Sequence, residues 1–340
     1  MNKSVVFIGR VLVLPIALIF FSIGVSRAEE VTIAHQLMLN PWKAAIGAGT
    51  FEKETGYTIK WSRFDSGSQV INAMASGDLQ IAVAGSSPIA AGLSRGIDAQ
   101  LFWILEDIAS AEELVVRNGS GINAPQDLRG KKLATPFVST SHYQLLFALE
   151  QFGIKPDEVT VLNMQPQAIA AAWERGDIDG AFVWDPALSR IKATGKVLIS
   201  SGQLCKWGKC TFDGVLVDRK WGEAHKDFMA KFVKIIADED DNYRKDPSAW
   251  TPDSPMVKSV AKLTGGDPKD VPAAMAAYSF PTLQEEASDK WLGGGQDSGA
   301  ARALRLTSEF LKDQKKIPAV QPDYSKFVTP EYVEMAMKLK

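Results

Sequence analysis

Residues that hold metals are scarce in this chain, with three histidines and two cysteines among 340 residues. Cys205 and Cys210, in LCKWGKC, have no histidine or further cysteine beside them, which falls short of the four ligands of a structural zinc site. In an oxidising export compartment the open readings are a local disulfide and two free thiols. Blocks of one charge sign are also missing. The 38 Lys and Arg against 40 Asp and Glu leave a net charge of −2, which argues against nucleic acid or an acidic membrane as partner and in favour of a small ligand. No Gly-x-Ser-x-Gly elbow presents a hydrolytic serine. After the N-terminal segment there is no second long apolar run.

What the N-terminus does contain is Lys3 and Arg10 around the start of an apolar run, VLVLPIALIFF, and then Ser26-Arg27-Ala28. The run is too short to span a bilayer, and small residues stand three and one positions before a cut after Ala28. We expect a secretory signal peptide over 1–28 and a mature chain in the periplasm. No cysteine follows the apolar core, so a lipoprotein anchor is not supported. The remainder, in a chain that is 46% hydrophobic, is long enough for two lobes with a core each.

The stretch KKLATPFVSTSHYQLLFALEQFG, Lys131 to Gly153, organises the reading. Leu133 and Ala134 end a short strand and Pro136 stops its ladder for want of an N–H. Ser139, Thr140 and Ser141 then offer N-caps for a helix to about Phe152, which Gly153 closes. A helix N-terminus carries unpaired N–H groups and roughly half a positive charge, so three hydroxyls there suit a small oxyanion without any Lys or Arg. Most such caps bind nothing, and both readings stay open at this point.

Two segments repeat one grammar: MASGDLQIAVAGSSP at Met74–Pro88 and WERGDIDGAFVWDP at Trp173–Pro186. Each is a helix end, Gly-Asp, and an apolar strand finishing in a polar cluster before proline. Ligands of open α/β sheets sit beyond the carboxyl ends of strands, so both clusters point at one cleft. The spacing further predicts strands at Val31–Ala34, Tyr57–Phe64, Leu101–Leu105, Glu113–Val116, Val159–Leu162 and Phe212–Val217, and a helix from Pro41 to Lys53. From Lys220 the chain is mainly helical, a tail expected to brace the first lobe.

The fold class expected is α/β, two lobes with a ligand cleft between them. Lobe 1 is drawn over 29–115 and 215–340, lobe 2 over 116–214. The residues placed in the cleft are Ser66, Gly67, Gly85, Ser86, Ser87, Phe137, Ser139, Thr140, Ser141, His142, Tyr143, Trp184, Asp185 and Asp213. Hydroxyls and helix ends suit a permanent anion, Trp184 an apolar or cationic portion, and Asp185 and Asp213 an ammonium. Trp184 could equally be core, Asp185 before its proline a plain turn former, and His142 an exposed or supporting residue. A secreted hydrolase using Ser139 or Ser141 with His35, His142 or His225 is the rival of a different class.

FDSGSQVINAMASGDLQIAVAGSSPIA, ATPFVSTSHYQLLFALEQFGIKPDEV, AAWERGDIDGAFVWDPAL and the tail motif KIPAVQPDYSKFVTPEY resemble the sulfonate-binding branch of the type II periplasmic solute-binding proteins of ABC transporters. The resemblance runs from about Val31 to Val328. It implies a non-enzymatic protein without cofactor that closes over taurine or a related sulfonate and docks on a membrane permease. By the same resemblance the sulfonate lies at Ser86, Ser87, Thr140 and Ser141, Trp184 covers the ethylene chain, and Asp213 meets the amine. Two segments depart from the family pattern near the amine end: HQLMLNPWKAA, with a bulky apolar pair and Asn40, and LCKWGKC.

Overall fold

The computed structural model describes Met1 and residues 28–339; residues 2–27, which hold nearly all of the expected signal peptide, lie outside them. Ten strands are found among the described residues: β1 (Glu30–His35), β2 (Thr58–Arg63), β3 (Ile81–Gly85), β4 (Ala99–Asp107), β5 (Glu113–Arg117), β6 (Lys132–Thr135), β7 (Thr160–Asn163), β8 (Gly180–Val183), β9 (Gly195–Ser200) and β10 (Phe212–Asp218). They form two sheets, ordered β2-β1-β3-β10-β4 and β7-β6-β8-β5-β9. In each, three parallel strands are followed by an antiparallel one, β10 or β5, that has just arrived from the other sheet. The central strands β3 and β8 are wholly buried, which is why they read as unbroken apolar runs rather than alternating ones.

The chain passes from the first sheet to the second over 108–112 and returns over 207–211. These crossovers lie side by side, with the Ile108 amide donating to the Thr211 carbonyl at 3.1 Å. The Glu113–Arg117 strand belongs wholly to the second sheet and Phe212–Asp218 wholly to the first.

Lobe 1 packs the long helix Lys226–Lys245 on its sheet through Phe228, Phe232, Ile235 and Ile236, which share one face at helical spacing. Trp42, Phe51 and Phe232 meet there, the two phenylalanine rings 5.0 Å apart. The helix expected from Pro41 to Lys53 is two helices, Trp42–Ala48 and Thr50–Thr55, because Gly49 adopts a left-handed φ of 68°. The helical tail does more than brace lobe 1. Its helix Gly299–Asp313 also reaches lobe 2, where Phe310 meets Tyr143 edge to face at 4.9 Å, and Leu311 and Ile317 pack with Ala91 and Val138. The two lobes are therefore in contact, with the cleft closed between them.

Cys205 and Cys210 are joined by a disulfide across the start of the returning crossover.

Candidate functional site

Three helices begin at the cleft. The helix Gly67–Ala75 follows Ser66, Ser86–Ser94 follows β3 with Gly85 as N-cap, and Thr140–Gln151 follows Ser139. Ser139 caps in the expected way, its Oγ accepting from the His142 amide at 3.0 Å. The ends of the latter two helices meet closely across the cleft. A Cβ on Gly85 would lie 2.7 Å from Thr140 Cγ2 and 3.2 Å from Asp213 Oδ1, so this approach requires glycine.

Between them lies a narrow cavity of about 10 Å³, the room of about one water molecule. Lobe 1 contributes Gln36, Met38, Gly67, Gly85, Pro88 and Asp213; lobe 2 contributes Ser139, Thr140 and Trp184; the first crossover contributes Glu112. No Lys or Arg lines it. Positive potential in it must come from helix termini, and Asp213 and Glu112 supply two carboxyls.

Both carboxyls are buried. Burial pushes Asp213 up to about 7 and Glu112 up to about 8, against the lowering effect of a hydrogen bond that Thr140 Oγ1 donates to Glu112 Oε1 at 2.5 Å. Glu112 Oε2 has no protein partner, and the hydroxyls of Ser87 and Ser141 are buried without one. Three buried polar atoms without a protein partner have hydrogen-bonding capacity that a ligand can take up.

Of the residues expected in the cleft, Gly67, Gly85, Ser139, Thr140, Trp184 and Asp213 line the cavity together. Ser66, Ser86, Ser87 and Ser141 are buried at the three helix starts, and Ser86 Oγ accepts from the Phe212 amide at 3.4 Å. Phe137 is stacked on the buried His142 ring at 4.5 Å, beneath Lys316. Tyr143 faces Phe310 at the contact between lobes, and Asp185 accepts from the Ser189 amide at 2.9 Å as a local cap. Phe137, His142, Tyr143 and Asp185 are not among the cavity-lining residues. Gln36, Met38, Pro88 and Glu112 were not foreseen. Pro88 and Gln36 carried a signal, one closing the GSSP cluster and the other following the first strand; Glu112 carried none.

The histidines do not make a hydrolytic pair. His142 Nδ1 accepts from the Val138 amide, and the rings of His35 and His225 are engaged with Gln36 O and with Trp221 O and Glu29. No histidine ring among the described residues is hydrogen-bonded to a serine hydroxyl. Burial also drives His142 and His35 down to about 4, out of the range of a base working near neutrality.

Behind Asp213 sits a second set of buried polar groups. Asn40 Nδ2 donates to both Glu106 oxygens at 3.1 Å, and Lys43 Nζ donates to Asn40 Oδ1 at 2.9 Å. The departure at HQLMLNPWKAA thus lies against Glu106, the cross-strand partner of Asp213.

Comparison with known proteins agrees with this geometry. The family model described as "NMT1/THI5 like" matches residues 51–249. The chain is 40% identical to the taurine-binding periplasmic protein of Escherichia coli (strain K12), over 91% of this chain and 94% of that one. Its fold is similar to the alkanesulfonate-binding protein SsuA from Xanthomonas axonopodis pv. citri bound to MOPS, with a TM-score of 0.72 at 22% identity, covering 90% of this chain and 99% of that one. The periplasmic aliphatic sulphonate binding protein SsuA from Escherichia coli gives a TM-score of 0.71 at 21% identity over 89% and 92%. With the family model matching 51–249 of 340 residues and a relative at 40% identity along most of the chain, this protein belongs to the NMT1/THI5-like family and has the two-lobed fold of periplasmic binding proteins.

Proposed function

We propose that this chain is the substrate-binding component of an ABC importer, which captures taurine in the periplasm and delivers it to the membrane permease. The observation that carries the ligand is the polarity of the cavity. Helix N-termini without any basic side chain and the carboxyls of Asp213 and Glu112 meet in the same cavity. A sulfonate is charged at every physiological pH and needs only N–H and O–H donors; an ammonium needs carboxylates. Donors without a basic side chain, together with buried carboxyls, match a short zwitterion. Similarity to a taurine-binding protein over most of the chain supports the same ligand.

In this reading the sulfonate lies among Ser86, Ser87, Thr140 and Ser141, the ethylene chain runs beside Trp184, and the amine meets Asp213. No covalent step is required. Lobe closure assembles the site, since its walls come from both lobes and a crossover. Calorimetry of the mature protein with taurine tests this. Binding that exceeds that of methanesulfonate is expected; no heat with taurine or with any short alkanesulfonate overturns it.

A further inference from the structure

Asp213 on β10 and Glu106 on β4 are direct cross-strand partners in the antiparallel register. Like charges directly opposite one another repel, and here both side chains are buried, Glu106 fully. Asn40 binds Glu106 through its amide N–H groups and turns its oxygen to Lys43 Nζ, so one fully buried ammonium is wired to this pair. Two carboxylates against one ammonium would leave an uncompensated charge in the core, which is costly. One proton kept between the two carboxyls balances the cluster.

We propose that Glu106 is a positioning residue for ligand charge. In the empty cleft it shares a proton with Asp213, and a ligand's ammonium, on reaching Asp213, displaces that proton to solvent. Capture of an aminoalkanesulfonate is thereby linked to proton release, while capture of an alkanesulfonate without the amine is not. The inference rests on the zwitterion reading above. Charge balances throughout: Lys43 offsets one carboxylate before binding, and the incoming ammonium offsets the second as the proton leaves.

The surrounding groups are consistent with this. Lys43 projects from the helix Trp42–Ala48, Glu112 from the crossover, Tyr278 from the segment after the helix Val271–Met275 and His35 from β1, with Asp240 on the helix Lys226–Lys245 adding a field at Glu106. Burial holds Glu106 well above the carboxylate range and lowers Lys43 only to about 8, so Lys43 keeps its charge near neutrality. Tyr278, pushed up by burial and by these acids, and His35, driven down to about 4, are neutral bystanders there.

The test is calorimetry of the mature wild-type protein at pH 6.5 in maleate and in imidazole, buffers of small and large ionisation heat without a sulfonate. Taurine should release about one proton per molecule bound, and methanesulfonate about none. Glu106→Gln should bind taurine with most of that release gone. Taurine heats that are equal in both buffers, or equal release with methanesulfonate, overturn the inference in the wild type alone. Undiminished release from Glu106→Gln also overturns it. Absence of taurine binding overturns the ligand reading and this inference with it; binding without proton release overturns the inference only.

Discussion

Asp213 sits inside the apolar run FDGVLV of β10, and that misplacement is what made it legible: a carboxylate buried there needs a reason. Its replacement separates charge recognition from scaffolding. Asp213→Asn should cost taurine binding about 2 kcal/mol or more, in the range seen when one partner of a buried charged hydrogen bond is removed, and change methanesulfonate binding by less than about 0.5 kcal/mol. Titration calorimetry with both ligands measures it, and equal losses would make the residue structural. Ser87→Ala removes a buried hydroxyl that has no protein partner and should weaken both sulfonates by about 1 kcal/mol. Glu112 stayed hidden because AEEL reads as a solvated pair of acids at a strand start; only the crossover buries the first while the second keeps an ion pair with Lys192 at 2.6 Å. Of the two readings left open for His142, exposed or supporting, the buried ring takes the supporting one. A polar residue in the first turn of a helix looks available to solvent, but Phe137 lies flat on its ring.

At the scale of elements, the helix starts were readable because Ser, Thr and Gly stand where caps require them. What could not be read was which starts face each other, since that depends on the crossing of two lobes. β9, GKVLIS, escaped notice because it lies in the second sheet at an edge, with a half-exposed pattern that carries little alternation. Leu101–Leu105 grew to Ala99–Asp107 because its acidic end is held in the sheet opposite Phe212 and Asp213. The convergence of helix ends gives a sharp test. Gly85→Ala places a methyl against Thr140 and Asp213; it should lower affinity for taurine and methanesulfonate alike, by tenfold or so if about 1.4 kcal/mol of closure is lost, while circular dichroism of the empty protein stays unchanged. Full affinity in this variant would mean that the lobes close without that approach.

For the whole molecule, the buried acids set how stability follows pH. Asp213 and Glu112 titrate near 7 and 8 in the folded protein but near their ordinary, lower values when unfolded. Their contribution is therefore full in acid and lost as pH rises through about 7 and 8. His35 and His142, lowered to about 4, contribute fully above about 6.5 and lose their contribution as pH falls toward 4. Above pH 6.5 the carboxyls act before Lys43, held at about 8, begins to lose its proton, so the melting temperature of the empty protein should fall from pH 6.5 to 7.5, and less steeply in Asp213→Asn; a rise would contradict the assignment. The two-lobed plan was legible from the repeated helix-Gly-Asp-strand segments, while the fourth position of β5 and β10 in their sheets was not, because no local pattern encodes which sheet a strand joins. The disulfide between Cys205 and Cys210 lies in that return path. Among the described residues two crossovers connect the lobes, 108–112 and 207–211, and this bond closes a short loop at the start of the second. Protein made in a reducing cytosol would then have the same pocket on a looser second crossover. Stopped-flow release of taurine should be faster from the reduced than from the oxidised form, and the oxidation state of a preparation becomes a variable to fix before any two affinities are compared.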